Sequence, residues 1–259
     1  MKNIIRKQLA ETRLTPKVNN YFRLAGALED VKPEETGLIP KNITILRNFT
    51  IEPLVKIIQG EVALSGFYPN IYINDYDTIA MDVLNPKSEF YRFKSDFIIL
   101  AQWLETLSSS FGSMFNPLDI QSNLKEKQKL LQIIEDFITA IRNQTNAPIL
   151  INNFPLPIHP TLGILDPQAH QYHGGTIMNL NYELLNLSKR FLDIYIVDYF
   201  SLIAQIGSFD SIDQRYWEIG RAPISNKALV PFGKAYGQII RALTGKTKKC
   251  LVLDCDNTL

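Results

Sequence analysis

The sequence predicts an α/β protein, a three-layer sandwich around a mainly parallel five-stranded sheet preceded by an N-terminal helical arm. Three observations predict it. Short β-branched runs recur along the chain, helical patterns lie between most of them, and the runs are apolar throughout rather than alternating. Strands that alternate with helices pair in parallel through crossovers. Continuous apolar strands belong to a sheet covered by helices on both faces.

The first forty residues read as polar-amphipathic helix and end at Pro33, Gly37 and Pro40. Strand runs follow at 43–46, 71–73, 97–101, 149–151 and 194–197, with a sixth at 250–254. The clearest helix spans 122–142, where Leu130, Leu131, Ile134, Phe137, Ile138 and Ile141 form one stripe and Ser122 stands at the N-cap position. A second helix is expected over 182–192. A third is expected over about 225–243, ended by Gly245. The organisation read from this is an arm over 1–40, an α/β domain over 41–245, and the start of another domain at 246–259. Residues 152–179 break the short-loop rule, and they hold all three histidines, His159, His170 and His173.

Lys plus Arg number 27 against 26 Asp plus Glu in 259 residues. A net charge of +1 leaves no broad field for nucleic acid. No apolar run approaches the roughly 18 residues a bilayer requires, and the basic N-terminus lacks the apolar stretch of a signal peptide. Cys250 and Cys255 sit at odd spacing on one predicted strand, so they face opposite ways and do not pair. Reduced thiols fit a cytoplasmic protein.

The strand at 250–254 runs into Asp254-Cys255-Asp256-Asn257-Thr258-Leu259. An apolar strand ending in Asp-x-Asp-x-Thr fits phosphoryl chemistry. The first carboxylate can attack phosphorus and ligate Mg²⁺, and the second can act as general acid and base. The threonine hydroxyl can meet phosphoryl oxygens. The competing reading, a strand-to-turn transition rich in Asp and Asn, explains less of the pattern.

The stretch Lys248 to Leu259 resembles the first motif of HAD-superfamily enzymes, and within them the FkbH-like proteins of HAD subfamily IIIC. Ile45-Leu46-Arg47-Asn48-Phe49-Thr50-Ile51-Glu52-Pro53-Leu54 is similar to that family's opening strand and turn. The run from Asp210 to Ser225 is similar to its segment before the HAD domain. The resemblance implies a flavodoxin- or SGNH-hydrolase-like N-terminal domain followed by a HAD domain. It implies a parent that is a Mg²⁺-dependent phosphatase, or a transferase moving a glyceryl or acyl unit to an acyl carrier protein. It places Asp254 as nucleophile and metal ligand, Asp256 as metal ligand and general acid/base, and Thr258 at the phosphate. The chain then holds only the start of the HAD domain. This part is expected to be inactive alone, to carry no cofactor of its own, and to have the HAD domain and a carrier protein as partners, with no nucleic acid or membrane.

An SGNH hydrolase places a Gly-Asp-Ser nucleophile after its first strand and Asp-x-x-His near its end. Here Thr50 stands near the first position without that Gly and Asp, and no His follows His173, so Asp210 and Asp213 lack one. The alternative is an unconventional esterase using Thr50 and a loop histidine. Ligands in open parallel sheets bind at the strands' carboxyl ends, which makes Asn48, Thr50, Asn152, Asn153, His159 and His173 the pocket candidates. Asn74, Asp75, Gln102 and Asp198 occupy similar positions. Each could instead cap a helix or shape a turn. His159, His170 and His173 fall short of a zinc ligand set, and Gly245-Lys246-Thr247 lacks the context of a phosphate loop.

Overall fold

The computed structural model describes residues 2–112 and 114–246. Five strands, β1 (Ile39–Arg47), β2 (Phe67–Ile73), β3 (Phe97–Ala101), β4 (Ile149–Asn152) and β5 (Ile194–Val197), form one sheet in the order β2-β1-β3-β4-β5. Every neighbouring pair is parallel. The predicted three-layer α/β architecture is therefore present, with β3 and β5 bounded as expected and β1 and β2 longer. The sixth predicted strand lies outside the described residues.

Helices α1 (Lys2–Leu14), α2 (Val18–Glu29) and α3 (Pro33–Thr36) precede the sheet. Between strands run α4 (Glu52–Leu64), then α5 (Ile79–Val83) and α6 (Glu89–Arg92), then α7 (Leu104–Leu107) and α8 (Ile120–Arg142), then α9 (His173–Ser188). After β5 come α10 (Tyr199–Ile206), α11 (Ser208–Ser211), α12 (Gln214–Gly220) and α13 (Asn226–Leu243). None of the described helices is long and apolar enough to cross a membrane.

The pleat of β3 sorts the core. Ile98 and Leu100 join a cluster with α8 and α9, whereas Phe97, Ile99 and Ala101 join one with α4 and α13. Helices α4 and α13 approach closely because Gly233 and Gly237 face them. A Cβ on Gly233 would lie 2.3 Å from Ile57 Cγ2, and one on Gly237 would lie 2.5 Å from Glu61 Cβ. Glu61, 4% exposed, accepts the Tyr21 hydroxyl from α2 and lies 3.4 Å from Arg241 Nη2 on α13. Burial pushes the Tyr21 hydroxyl far above its ordinary range, so it stays a donor.

Two helix ends show how local chemistry sets boundaries. Asp119, rather than Ser122, caps α8, its carboxylate accepting Ser122 N–H at 3.0 Å. Gly245, at φ 70°, closes α13: its N–H reaches Ala242 O, and Lys246 N–H reaches Arg241 O.

Candidate functional site

Strand order turns back between β1 and β3, the point where open parallel sheets leave a crevice at their carboxyl ends. The residues just beyond those ends are mostly asparagines, and their side chains stitch strand to strand. Asn48 Oδ1 accepts Trp103 N–H at 2.6 Å, and its Nδ2 donates to Trp103 O at 3.1 Å. Asn152 does the same to Gln102, at 2.8 Å in both directions. Asn181 on α9 brackets Phe154 with bonds of 2.9 and 2.7 Å. A primary amide carries the donor and acceptor of a peptide group, so Asn48 and Asn152 each extend the ladder toward the neighbouring strand, and Asn181 satisfies the Phe154 backbone from α9. Asn74 adds a bond from Oδ1 to Arg47 N–H at 2.8 Å. Asn153 joins β4 to β5, donating to Asp198 Oδ1 at 2.7 Å and accepting Phe200 N–H at 3.0 Å.

These contacts assign a structural task to Asn48 and Asn152, both fully buried. Asn153 and Asp198 border a separate open groove of about 460 Å³ beside Tyr182, Ile196 and Phe200. Burial would raise the Asp198 carboxyl, but hydrogen bonds from Ser201 and Asn153 outweigh it and hold the group below its usual value.

The larger pocket, about 590 Å³, is lined mainly by parts of three connections, with Tyr76 of the β2–α5 connection beside them. The β3–α8 connection supplies Trp103, Glu105, Thr106 and Phe111. The β4–α9 connection supplies Leu156, Ile158 and His159, followed by His173 at the head of α9. The excursion carrying α12 supplies Trp217, Glu218 and Arg221. Of the predicted residues, His159 and His173 therefore meet here.

His173 is 2% exposed, with its ring stacked on Phe115 at 4.3 Å. Its Nε2 lies 2.7 Å from Phe111 O, which can only accept, so this nitrogen carries the hydrogen. Desolvation lowers its pKa, against opposing pulls from Phe111 O and Asp166, and the ring is neutral with a bare Nδ1. Asp166 accepts both His173 and Gly174 N–H, at 3.1 and 3.2 Å, and so starts α9 there.

The α12 excursion is closed by a bridge between Ile212 and Ile224. Asp213 caps α12 by accepting Tyr216 N–H, and Asp210 accepts Lys227 Nζ at 2.7 Å. Thr50 holds the turn that follows: its Oγ1 donates to Gly220 O at 2.5 Å, and its N–H donates to Arg221 O at 2.8 Å. Arg221 there takes φ 53°, a left-handed conformation, with its guanidinium 4.9 Å from the Trp217 ring centre. Trp217 in turn packs on Trp103 at 6.1 Å, and Trp103 on Phe49 at 5.9 Å. In the pocket lining, Glu105 is exposed yet closely ringed, and desolvation followed by the charge of Glu218 pushes its carboxyl up.

No described hydrogen bond joins Thr50 to a histidine. Asp254, Asp256 and Thr258 lie outside the described residues, and among the described ones no three His, Cys, Asp or Glu are grouped to hold a metal ion. Sequence reading missed Trp103, Glu105, Thr106 and Glu218 as pocket residues. Trp217 and Arg221 had drawn notice only within the run resembling the family.

The profile described as FkbH, N-terminal domain matches residues 42–241. The N-terminal part of a Bacteroides fragilis protein, containing a phosphatase domain and complexed with Mg, superposes with a TM-score of 0.75 at 23% identity. That match covers 91% of this chain and 60% of the other, so it spans less than two thirds of that protein's length. An acetyl xylan esterase superposes with a TM-score of 0.51 at 11% identity, covering 77% of this chain and 99% of its own. Both likenesses are of fold. No curated protein matches the chain.

Proposed function

The chain belongs to the FkbH N-terminal domain family, and on that premise we propose that it is the accessory, substrate-positioning part of a HAD-type enzyme. The parent is a Mg²⁺-dependent phosphatase, or a transferase of glyceryl or acyl groups to an acyl carrier protein. Its chemistry resides at Asp254, Asp256 and Thr258, and its setting is the cytoplasm. Mg²⁺ held by Asp254 and Asp256 would neutralise phosphate charge.

One observation supports an accessory role over a hydrolytic one. The hydroxyl at the nucleophile position, Thr50 Oγ1, donates to Gly220 O and thereby fixes the turn that presents Arg221. A nucleophile needs its hydrogen directed at a base, and this one is directed at a carbonyl. What remains at the sheet's carboxyl end is a pocket of ligand size in which aromatic and aliphatic side chains stand beside polar and charged ones, the form of a binding site.

The test uses a protein in which this chain runs into a complete HAD domain. It is assayed for Mg²⁺-dependent release or transfer from phosphorylated three-carbon donors, with and without carrier protein. The proposal expects activity that Asp254→Asn abolishes. Activity unchanged in that variant, or no Mg²⁺-dependent reaction on any donor, would overturn it.

A further inference from the structure

Buried side-chain polar atoms are rarely left without partners. Among the described residues five of the seven such atoms fall on two segments that meet at the Phe111–His173 contact, namely both amide atoms of Gln102, Thr106 Oγ1, Ser108 Oγ and His173 Nδ1, while the other two are Gln8 Oε1 and Gln59 Oε1. The five belong to the β3–α8 connection or to the head of α9. Thr106 and His173 line the large pocket directly. Leaving such a group unsatisfied is costly, and a cluster of them at a concave site marks where a guest supplies the missing bonds.

The atoms define that guest. His173 Nδ1 is a bare acceptor, since Nε2 carries the hydrogen toward Phe111 O, so the guest must donate. Thr106 Oγ1 can accept from or donate to the same group. The lining around these groups carries the apolar Trp103, Phe111, Leu156, Ile158, Ile177 and Trp217, beside the polar Tyr76, His159 and Gln214. Among the described lining residues stand two exposed carboxyl groups, Glu105 and Glu218, against one arginine, Arg221, and the imidazole of His159. That arginine lies 3.7 Å from Glu218 and is shared with it. Among the described lining residues no other Arg or Lys stands here, so a phosphate entering would meet like charge.

We infer that the pocket binds a neutral, hydroxyl-bearing organic group, its hydroxyl donating to His173 Nδ1 beside Thr106 Oγ1, and turns away phosphorylated ends. The inference deepens the substrate-positioning reading. The phosphate is the business of the HAD motif, and this domain holds the uncharged body of the molecule.

The protein has two tryptophans, Trp103 and Trp217, and both line the pocket, so tryptophan emission reports its occupancy. Three probes with one apolar body are titrated into the intact chain: 4-phenylbutan-1-ol, 4-phenylbutanoate and 4-phenylbutyl phosphate. The alcohol is expected to give a saturable change and to bind at least about tenfold more tightly than either anion. Thr106→Val and His173→Phe are each expected to weaken the alcohol several-fold. The second keeps the ring stack on Phe115, and the first stands alone if the second fails to fold. Glu105→Gln with Glu218→Gln is expected to narrow the gap between alcohol and phosphate. No saturable change with the alcohol, equal binding of an anion, or unchanged alcohol affinity in the folded variants would overturn the inference. A failed titration beside intact Mg²⁺-dependent phosphate chemistry removes this inference alone. A working titration without that chemistry removes the reading of the parent alone.

Discussion

Asn48 and Trp103, at the ends of neighbouring strands, exchange two hydrogen bonds through a side-chain amide that takes the place of a peptide group, at 2.6 and 3.1 Å. Asn152 and Gln102 repeat the arrangement one strand further along. The carboxyl edge of the sheet is thereby sealed, and the pocket is lined mainly by the connections that follow the strands. Replacing Asn48 or Asn152 with Ala leaves a buried N–H and C=O without partners, at a cost of about 2–4 kcal/mol. Chemical denaturation measures this, and a loss under about 0.5 kcal/mol would contradict the structural assignment.

Two glycine-to-alanine changes should have opposite signs. Gly233→Ala drives a Cβ to 2.3 Å from Ile57 on α4, so it should destabilise by about 1–3 kcal/mol. Gly26→Ala, within α2 and with nothing within 4 Å of its Cβ, should stabilise by about 0.5–1 kcal/mol. Thermal melts of the pair check both the close approach of α13 to α4 and the open face of α2.

Much of this architecture is legible in the sequence. Strand β3, buried on both faces, reads as an unbroken apolar run and is bounded as predicted. Strand β2 is longer than its apolar run at 71–73 because Pro69 and Asn70 obscure its first half. An edge strand tolerates such a proline, having a ladder partner on one side only. The start of α9 is hidden for a different reason. His173-Gly174-Gly175 reads as loop, and the helix begins there because Asp166, several residues upstream, accepts two of its free N–H groups. The pocket was legible only in part. His159 and His173 stood out as histidines in a long loop, but Trp103, Glu105 and Glu218 come from separate connections that no local pattern links.

Stability should depend on pH through His173. Its folded pKa lies below the ordinary value because burial disfavours the cation. The unfolded imidazole takes up a proton near about pH 6.5, so below that value the unfolded state binds more protons and stability falls as pH falls. Above it, the contribution is fully present. Urea midpoints at pH 7.5 and 5.0 should fall further in the native protein than in His173→Phe. Equal falls would place the proton elsewhere.

Thr50 positions the Arg221 turn through its hydroxyl and its N–H. Thr50→Val keeps the shape and removes the hydroxyl bond, at a cost of about 0.5–1.5 kcal/mol. Because Arg221 lies over Trp217, the same change should alter tryptophan emission. An emission spectrum identical to that of the native protein would contradict the positioning role.

The most direct measurement is turnover of 4-nitrophenyl acetate by the chain, with Thr50→Ala, His159→Ala, His170→Ala and His173→Ala alongside. A binding and positioning domain predicts no rate above that of buffer in any of them. Turnover abolished by Thr50→Ala and by one histidine variant would make the domain an esterase and contradict the account.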